Sequence, residues 1–370
     1  MSGVEFRAAV LREVNAPLVV ERVHLAPPKR GEVLVRMGAS GLCHTDLEVM
    51  QGQLAYPLPI VLGHEGAGVV EAVGEGVTLV RKGDHVVCSW NPTCGHCFYC
   101  DRGLPILCEP FTRHQPAGHL MDGTSRLEAR GAKLHHFSVV SSHAEYAMVP
   151  ESGAIPIPKE IPFDRACLIG CGVMTGVGAA CRVAQVPAGS AVAVIGCGAV
   201  GLNAIQGARI QRAEIIIAID RDAAKRETAM AFGATHFVLA GEETIAQVKA
   251  LTAGRGADCV IECAGHPDVF RLSAEITRPG GQLIWLGKTG VARDVAFRWG
   301  ALMGEKQIRR SSYGGARPRR DFPWLARMYL EGSLKLDELI TARLPLERIN
   351  EGFDEMRRGE GIRTVVCFDA

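Results

Sequence analysis

In roughly the first 172 residues, apolar positions come in short runs broken by Gly and Pro, as in GEVLVRM, GAGVVEAVG and DHVVCSW. Turn signals recur roughly every 8 to 12 residues, the rhythm of short strands closing on one another, so a partly open β-barrel is predicted. From about 173 to 313 the pattern changes to unbroken apolar runs, AVAVIG, EIIIAID, CVIECAG and QLIWLG, about 20 to 25 residues apart except for a longer gap between the second and the third. Such runs suit parallel strands buried on both faces, with room between them for crossover helices. The last segment, about 314 to 370, reads as a helix over ERINEGFDEMRRG and a strand over RTVVCF, and is expected to return to the first domain. The fold class is therefore α/β plus β. One domain is expected from 1–172 and 314–370, and a doubly wound domain from 173–313.

Length agrees with two domains, since 370 residues exceed what one core usually holds. The balance of 41 Lys+Arg against 40 Asp+Glu leaves a formal charge of +1, so neither nucleic acid nor membrane is expected as a partner. The opening MSGVEFRAAVLREV has no long apolar core behind a basic start, and no stretch holds roughly 18 uninterrupted apolar residues. A cytoplasmic location is the expectation. Thirteen cysteines in such a chain do not read as a secreted disulfide framework. In a reducing compartment clustered thiols are more often metal ligands.

One such cluster is CGHCFYCDRGLPILC, in which Cys94, Cys97, Cys100 and Cys108 lie at spacings x2, x2 and x7 on a loop punctuated by Gly95, Gly103 and Pro105. Four thiolates suit tetrahedral zinc with no open position, holding a lobe at about 90–110 together. An iron–sulfur cluster is the second reading and a redox disulfide the third.

The strongest cofactor signal is GCGAVG. Gly196, Gly198 and Gly201 follow the strand AVAVI and open a helical stretch, the arrangement that brings backbone N–H groups to a pyrophosphate. The strand EIIIAID ends in Asp220, 19 residues beyond Gly201, where a carboxylate accepts from the adenosine ribose and repels a 2′-phosphate. NAD is favoured over NADP, with adjacent Arg221 in partial compensation. The alternative is a strand-end Asp capping a helix.

Three further runs hold dispersed candidates: GLCHTD with Cys43, Thr45 and Asp46; LGHEGAG with His64 and Glu65; and IGCGVMTG with Cys171. Two thiolates and an imidazole with a fourth position open match catalytic zinc. Singly, each is weak, because a lone Cys or His is more often core.

Together these motifs resemble the zinc-dependent alcohol dehydrogenases of the medium-chain dehydrogenase/reductase superfamily. GHEGAGVV, the four-cysteine lobe, DGTSR followed by HHF, GCGVMTG, GCGAVG and INEGFDEMRRGEGIRTVV carry the resemblance over nearly the whole chain. The stretch from Glu109 to His136 is similar to that of the long-chain, animal-type branch of class I and III. The resemblance implies a GroES-like barrel, a Rossmann domain, two zinc ions per chain, NAD(H), and a homodimer joined through the nucleotide domains.

Residue by residue, it implies Cys43, His64 and Cys171 as catalytic zinc ligands, with Glu65 approaching the metal from behind. Thr45 would bond the substrate oxygen and Asp46 would orient a ligand. Asp220 and Lys225 would hold the ribose, with Thr175, Ala199, Val200, Leu286 and Lys288 also lining the cofactor. Arg363 and His44 would face the pyrophosphate; an arginine is common at His44, and a neutral imidazole should release cofactor faster.

The implied reaction is reversible hydride transfer between a primary alcohol or aldehyde and NAD(H). In this family the alcohol's proton leaves through Thr45 and the nicotinamide ribose to a histidine three residues on, where this chain has Glu48. Either Glu48 ends the relay or solvent does. Leu54, Trp90, Phe137 and Met174 fall at pocket positions. Trp90, aimed by the cysteine clamp, would restrict space beside the metal; alternatively it fills the barrel core. Arg113 and Lys288 suggest a substrate with a distal acidic group, against solvated side chains or a cofactor contact. His135 and His136 read as structural, and Arg317, Arg319 and Arg320 as a solvated turn. Cys88, Cys167, Cys181, Cys197, Cys259, Cys263 and Cys367 read as core packing. Competing functions are a glutathione- or mycothiol-dependent formaldehyde dehydrogenase and a non-catalytic NAD-binding redox sensor or structural protein.

Overall fold

A computed structural model describes residues 3–368. They form two compact units, one from residues up to Cys171 together with those from Arg317 onward, the other Gly172–Ala316.

The first unit is built on two sheets. One runs Ala132–Lys133, Leu127–Ala129, Val19–Leu25, Val4–Leu11, Ile60–Val61, His135–His136; the other runs Ala154–Pro156, His85–Cys88, Glu65–Val73, Glu32–Gly41, Arg363–Cys367, Ile340–Leu344. Strand Glu32–Gly41 is central: it pairs antiparallel with Glu65–Val73 along one edge, and with Tyr146–Pro150 and then Arg363–Cys367 along the other. Its alternation explains its place. Val33, Val35 and Met37 enter one apolar cluster with Val70, Val86 and Val149, while Leu34 turns to a second with Phe6, Phe111 and Met148.

The DGTSR run has a structural role. Arg126, 2% exposed, is bidentate to Glu32 at 3.1 and 2.6 Å and also reaches Asp122 at 2.6 Å, pinning the loop to the start of the central strand.

The second unit is a six-stranded parallel sheet in the order His236–Leu239, Ile215–Asp220, Ala191–Ile195, Ala257–Glu262, Thr277–Trp285, Gln307–Arg310. Numbered along the chain this is 3-2-1-4-5-6, the doubly wound order that opens a crevice at the carboxyl ends of the first and fourth strands. Ala193, Ile195, Ile217, Ile219 and Val260 form its core.

Two strands of this sheet escaped the apolar pattern. His236–Leu239 fills the long gap between EIIIAID and CVIECAG, and Gln307–Arg310 is exposed at every position. The RPRR stretch also differs from the expected turn. Pro318 opens a helix, Pro318–Leu330, and the backbone N–H of Arg317 donates to Asp321 at 2.8 Å. The helical stretch Phe163–Ala184 has a mean hydropathy of 1.6, long and apolar enough to cross a membrane, yet 78% of its most apolar window is buried in the fold. A core helix has the same composition.

Candidate active site

In the first unit, three separate stretches bring Cys43, His64, Glu65 and Cys171 together, with their ligand atoms all within 4.8 Å of one another. Cys43 caps the helix His44–Met50; His64 and Glu65 lie at the entry of strand Glu65–Val73; Cys171 sits in a π-type turn, Ile169–Val173, continuing the helix Phe163–Leu168. A π-turn widens a helix locally and turns one side chain out of the usual register.

Asp46, fully buried, joins two of these stretches. Its Oδ2 accepts from the Cys43 N–H at 3.2 Å, and its Oδ1 from the Gly63 N–H at 3.0 Å and His64 Nδ1 at 3.3 Å. That leaves His64 Nε2 as the free ligand atom. Gly63 makes the approach possible: its φ is +92°, and a Cβ there would lie 2.4 Å from the His143 nitrogen.

Behind these atoms Arg363 donates to Glu65 Oε2, with both side chains buried. Glu65 Oε1 has no hydrogen-bond partner among the described residues. Burial pushes the Glu65 carboxyl up to about 7, against the pull of Arg363. The Cys43 thiol is held well below its ordinary range by the facing Cys171 side chain and by His64. Burial alone would push His64 down, but Asp46 and Cys43 outweigh it and hold its pKa well above the usual value. Two thiols, an imidazole and a carboxyl thus converge, with Asp46 and Arg363 bonded to the imidazole and the carboxyl. Two sulfurs and a ring nitrogen are a donor set that fits a soft divalent cation.

The four cysteines of the lobe also converge, their sulfurs within 4.8 Å of one another. Backbone N–H groups point at them, from Cys94 to Cys108 Sγ at 3.2 Å and from Glu109 to Cys97 Sγ at 3.4 Å. The Glu109 N–H brings the Cys97 thiol down to about 6, as suits a thiolate ligand. Burial pushes Cys108 up to about 12, a shift that a bound cation would reverse.

In the second unit the glycine run forms the turn between strand Ala191–Ile195 and helix Ala199–Ile210. Gly201 packs so closely that a Cβ would lie 1.8 Å from the Gly196 carbonyl oxygen. Asp220 Oδ2 accepts from the Cys197 N–H at 2.7 Å and faces Lys225 Nζ at 3.2 Å, which ties the strand-end carboxylate to the phosphate-binding turn. Arg221 and Lys288 are exposed, Thr175, Ala199 and Val200 half-buried, Leu286 and Met174 buried.

Other predicted residues are less concentrated. On the helix His44–Met50, His44 is exposed and Thr45 and Glu48 half-buried; Arg113 is exposed on helix Glu109–His114. Phe137 is fully buried, its ring edge-on to His64 at 5.5 Å and to Tyr56 at 5.0 Å. Trp90 is half-buried against two apolar clusters, one including Cys94, Cys97 and Cys100, with Phe111 at 6.3 Å; Leu54 packs on a third. His136 is buried and accepts from the Arg126 N–H at 3.2 Å. Of the remaining cysteines, Cys263 and Cys367 are only half-buried and the rest buried. Two neighbours went unnoticed in the sequence: Tyr56, whose hydroxyl accepts from Gln115, and His143, beside Asp46. Neither lies in a motif.

Comparison with known proteins follows the same division. Residues 29–159 match the alcohol dehydrogenase GroES-like domain and residues 199–331 the zinc-binding dehydrogenase domain. The chain is 40% identical to the class-3 alcohol dehydrogenase of Myxine glutinosa over 367 residues, 98% of each, and 39% identical to the S-(hydroxymethyl)glutathione dehydrogenase of Aspergillus oryzae, covering 97% of this chain and 95% of that one. Among solved structures, an alcohol dehydrogenase zinc-binding domain protein from Burkholderia ambifaria is 36% identical with a TM-score of 0.96 over 100% of both chains. Benzyl alcohol dehydrogenase from Acinetobacter calcoaceticus is 31% identical with a TM-score of 0.94, over 99% of this chain and 100% of that one. Matched in both domains and over nearly its full length, the chain belongs to the zinc-containing alcohol dehydrogenases, oxidoreductases that work with zinc and NAD(H).

Proposed function

We propose that this chain oxidises primary alcohols to aldehydes with NAD, reversibly, at a zinc ion held by Cys43, His64 and Cys171. The convergence of those three ligand atoms with Glu65 is the observation that supports the reading most directly. When bound, zinc makes an alcohol hydroxyl acidic near neutral pH and NAD accepts the hydride. The protein's share is geometric. Asp46 fixes the His64 ring, Thr45 stands two residues beyond Cys43 to take the substrate hydroxyl, and Phe137 walls the site beside His64. Cys94, Cys97, Cys100 and Cys108 hold a second, structural zinc, and half-buried Trp90 narrows the pocket toward unbranched alcohols.

A glutathione adduct of formaldehyde is the second reading, favoured by the names of the relatives at 39–40% identity. NADH formation should be followed with a series of primary alcohols, benzyl alcohol included, and with formaldehyde plus or minus glutathione. A rate with formaldehyde that depends on glutathione and exceeds every simple alcohol would replace the first reading. Absence of NADH from all of them would refute both. In the same series, an ω-hydroxy acid and its uncharged parent alcohol test whether Arg113 or Lys288 attracts a distal carboxylate.

For the cofactor, Asp220 accepts the ribose hydroxyls with Lys225 beside it. Asp220→Gly should raise the KM for NAD about tenfold or more and lower that for NADP. Unchanged KM values would remove Asp220 from recognition. The assembly we propose is a cytoplasmic homodimer. The open edge strand Gln307–Arg310, with exposed Ile308, Trp299 and Met303 nearby, supports pairing through this unit.

A further inference from the structure

His143 is fully buried beside the metal site, and its Nε2 has no hydrogen-bond partner among the described residues. That nitrogen lies 3.8 Å from Asp46 Oδ1, the oxygen that accepts from Gly63 and His64. On the other side of the ring, Nδ1 lies 3.0 Å from Ser40 Oγ, which in turn lies 2.7 Å from Ser142 Oγ. Both serines are buried. The charged or titratable groups facing the ring are Asp46, His64 and Cys43; the edge of Phe353 closes the remaining side at 5.9 Å.

Electrostatics selects one tautomer. If Nδ1 carried the proton, the Nε2 lone pair would face a buried carboxylate, which is repulsive at low local dielectric. If Ser40 donates to Nδ1, the proton sits on Nε2 and its N–H dipole faces Asp46. Burial brings the His143 pKa down to about 4, so the ring is neutral near pH 7 and adds a dipole with no second charge. Its backbone is fixed independently: His143 N–H donates to Leu62 at 3.0 Å, Ser142 N–H to Gly63 at 3.0 Å, and Ala9 N–H to the His143 carbonyl at 2.9 Å.

We propose that His143 is a positioning residue for the catalytic metal site, its Nε2–H holding the Asp46 carboxylate that orients His64. The chain Ser142 to Ser40 to His143 then runs donor to acceptor, and its last link to the ligand's partner is the Nε2–H dipole facing Asp46 across 3.8 Å, an electrostatic contact longer than a hydrogen bond. This inference rests on Cys43, His64 and Cys171 binding zinc.

Two measurements test it. In the zinc-loaded protein, histidine 15N NMR should show His143 neutral, with Nε2 protonated and Nδ1 bare; an Nδ1–H tautomer overturns the proposal. The second uses His143→Phe, which keeps a flat ring on an unchanged backbone, and His143→Gln, which can return an N–H near the Nε2 position. Against a chelator, His143→Phe should hold zinc at the Cys43 site about tenfold less tightly, while the four-cysteine zinc stays put. Its pH profile for alcohol oxidation should move up by about half a unit to one unit. His143→Gln should recover most of both. Parent-like zinc retention in His143→Phe overturns the inference, and should that variant fail to fold, the tautomer decides alone. A parent with no zinc at the Cys43 site would instead sink the proposed reaction, so the two failures are distinguishable.

Discussion

Cys171→Ser should lower the rate of NADH formation from a primary alcohol by about a thousandfold or more, while the protein keeps its fold and one zinc per chain. A thousandfold corresponds to about 4 kcal/mol of barrier, within what a metal contributes by stabilising charge on oxygen. In the proposed zinc site serine removes one soft anionic ligand of three, and its hydroxyl stays protonated at pH 7. The π-turn at Ile169–Val173 and the strand bearing Glu65 do not need the sulfur for their backbone bonds, so the loss should be local. Metal analysis per chain, circular dichroism and turnover on one sample settle it. Two zinc ions with a parent-like rate would refute the assignment of Cys171.

Cys100→Ala should act in the opposite way. It opens the four-thiol cluster, and a zinc closed by four thiolates has no position left for substrate, so hydride transfer by folded molecules should stay within a few-fold of the parent. Stability should fall steeply. Four thiols within 4.8 Å repel one another once ionised, and without the cation the lobe loses its cross-link. The lobe also covers apolar surface, since Cys108, Phe111 and Leu120 belong to the same buried cluster as the barrel strands. A loss of several kcal/mol corresponds to a fall in Tm of about 10 °C in a chain this size. Calorimetry, zinc counting and limited proteolysis between residues 94 and 108 are the measurements. An unchanged Tm with one zinc missing would show that the metal is dispensable to the lobe.

What could be read from the sequence divides by the range of the forces involved. Ala191–Ile195 and Ile215–Asp220 were legible because a strand buried on both faces is a nearly continuous apolar run, broken in the second only by the terminal Asp220. Gln307–Arg310 was not, because pairing with Thr277–Trp285 alone holds it in the sheet and its side chains face solvent. The start of the helix Pro318–Leu330 was hidden by its own arginines, which read as a polar turn. At the site, Cys43, His64 and Cys171 were found only through a family resemblance, since each alone resembles a core residue. Arg363 was expected at the cofactor, and its contact with Glu65 spans 298 positions, beyond any local pattern. His143 left no trace at all; a solitary histidine acquires meaning only when the fold places Asp46 opposite it.

That distant pair also sets an order of events. Arg363 reaches Glu65 only after residues 172–316 have left the ribosome, whereas those residues hold everything their own parallel sheet requires. The nucleotide unit can therefore complete its folding first. Throughout translation of that unit the strand Glu32–Gly41 lacks one of its neighbours and Glu65 lacks its cation. The three proposed ligands of the reactive centre are all made by residue 171, so what waits for the C-terminal strand is the Arg363–Glu65 contact, whereas the cysteine lobe is closed by residue 108 and can take its ion before either.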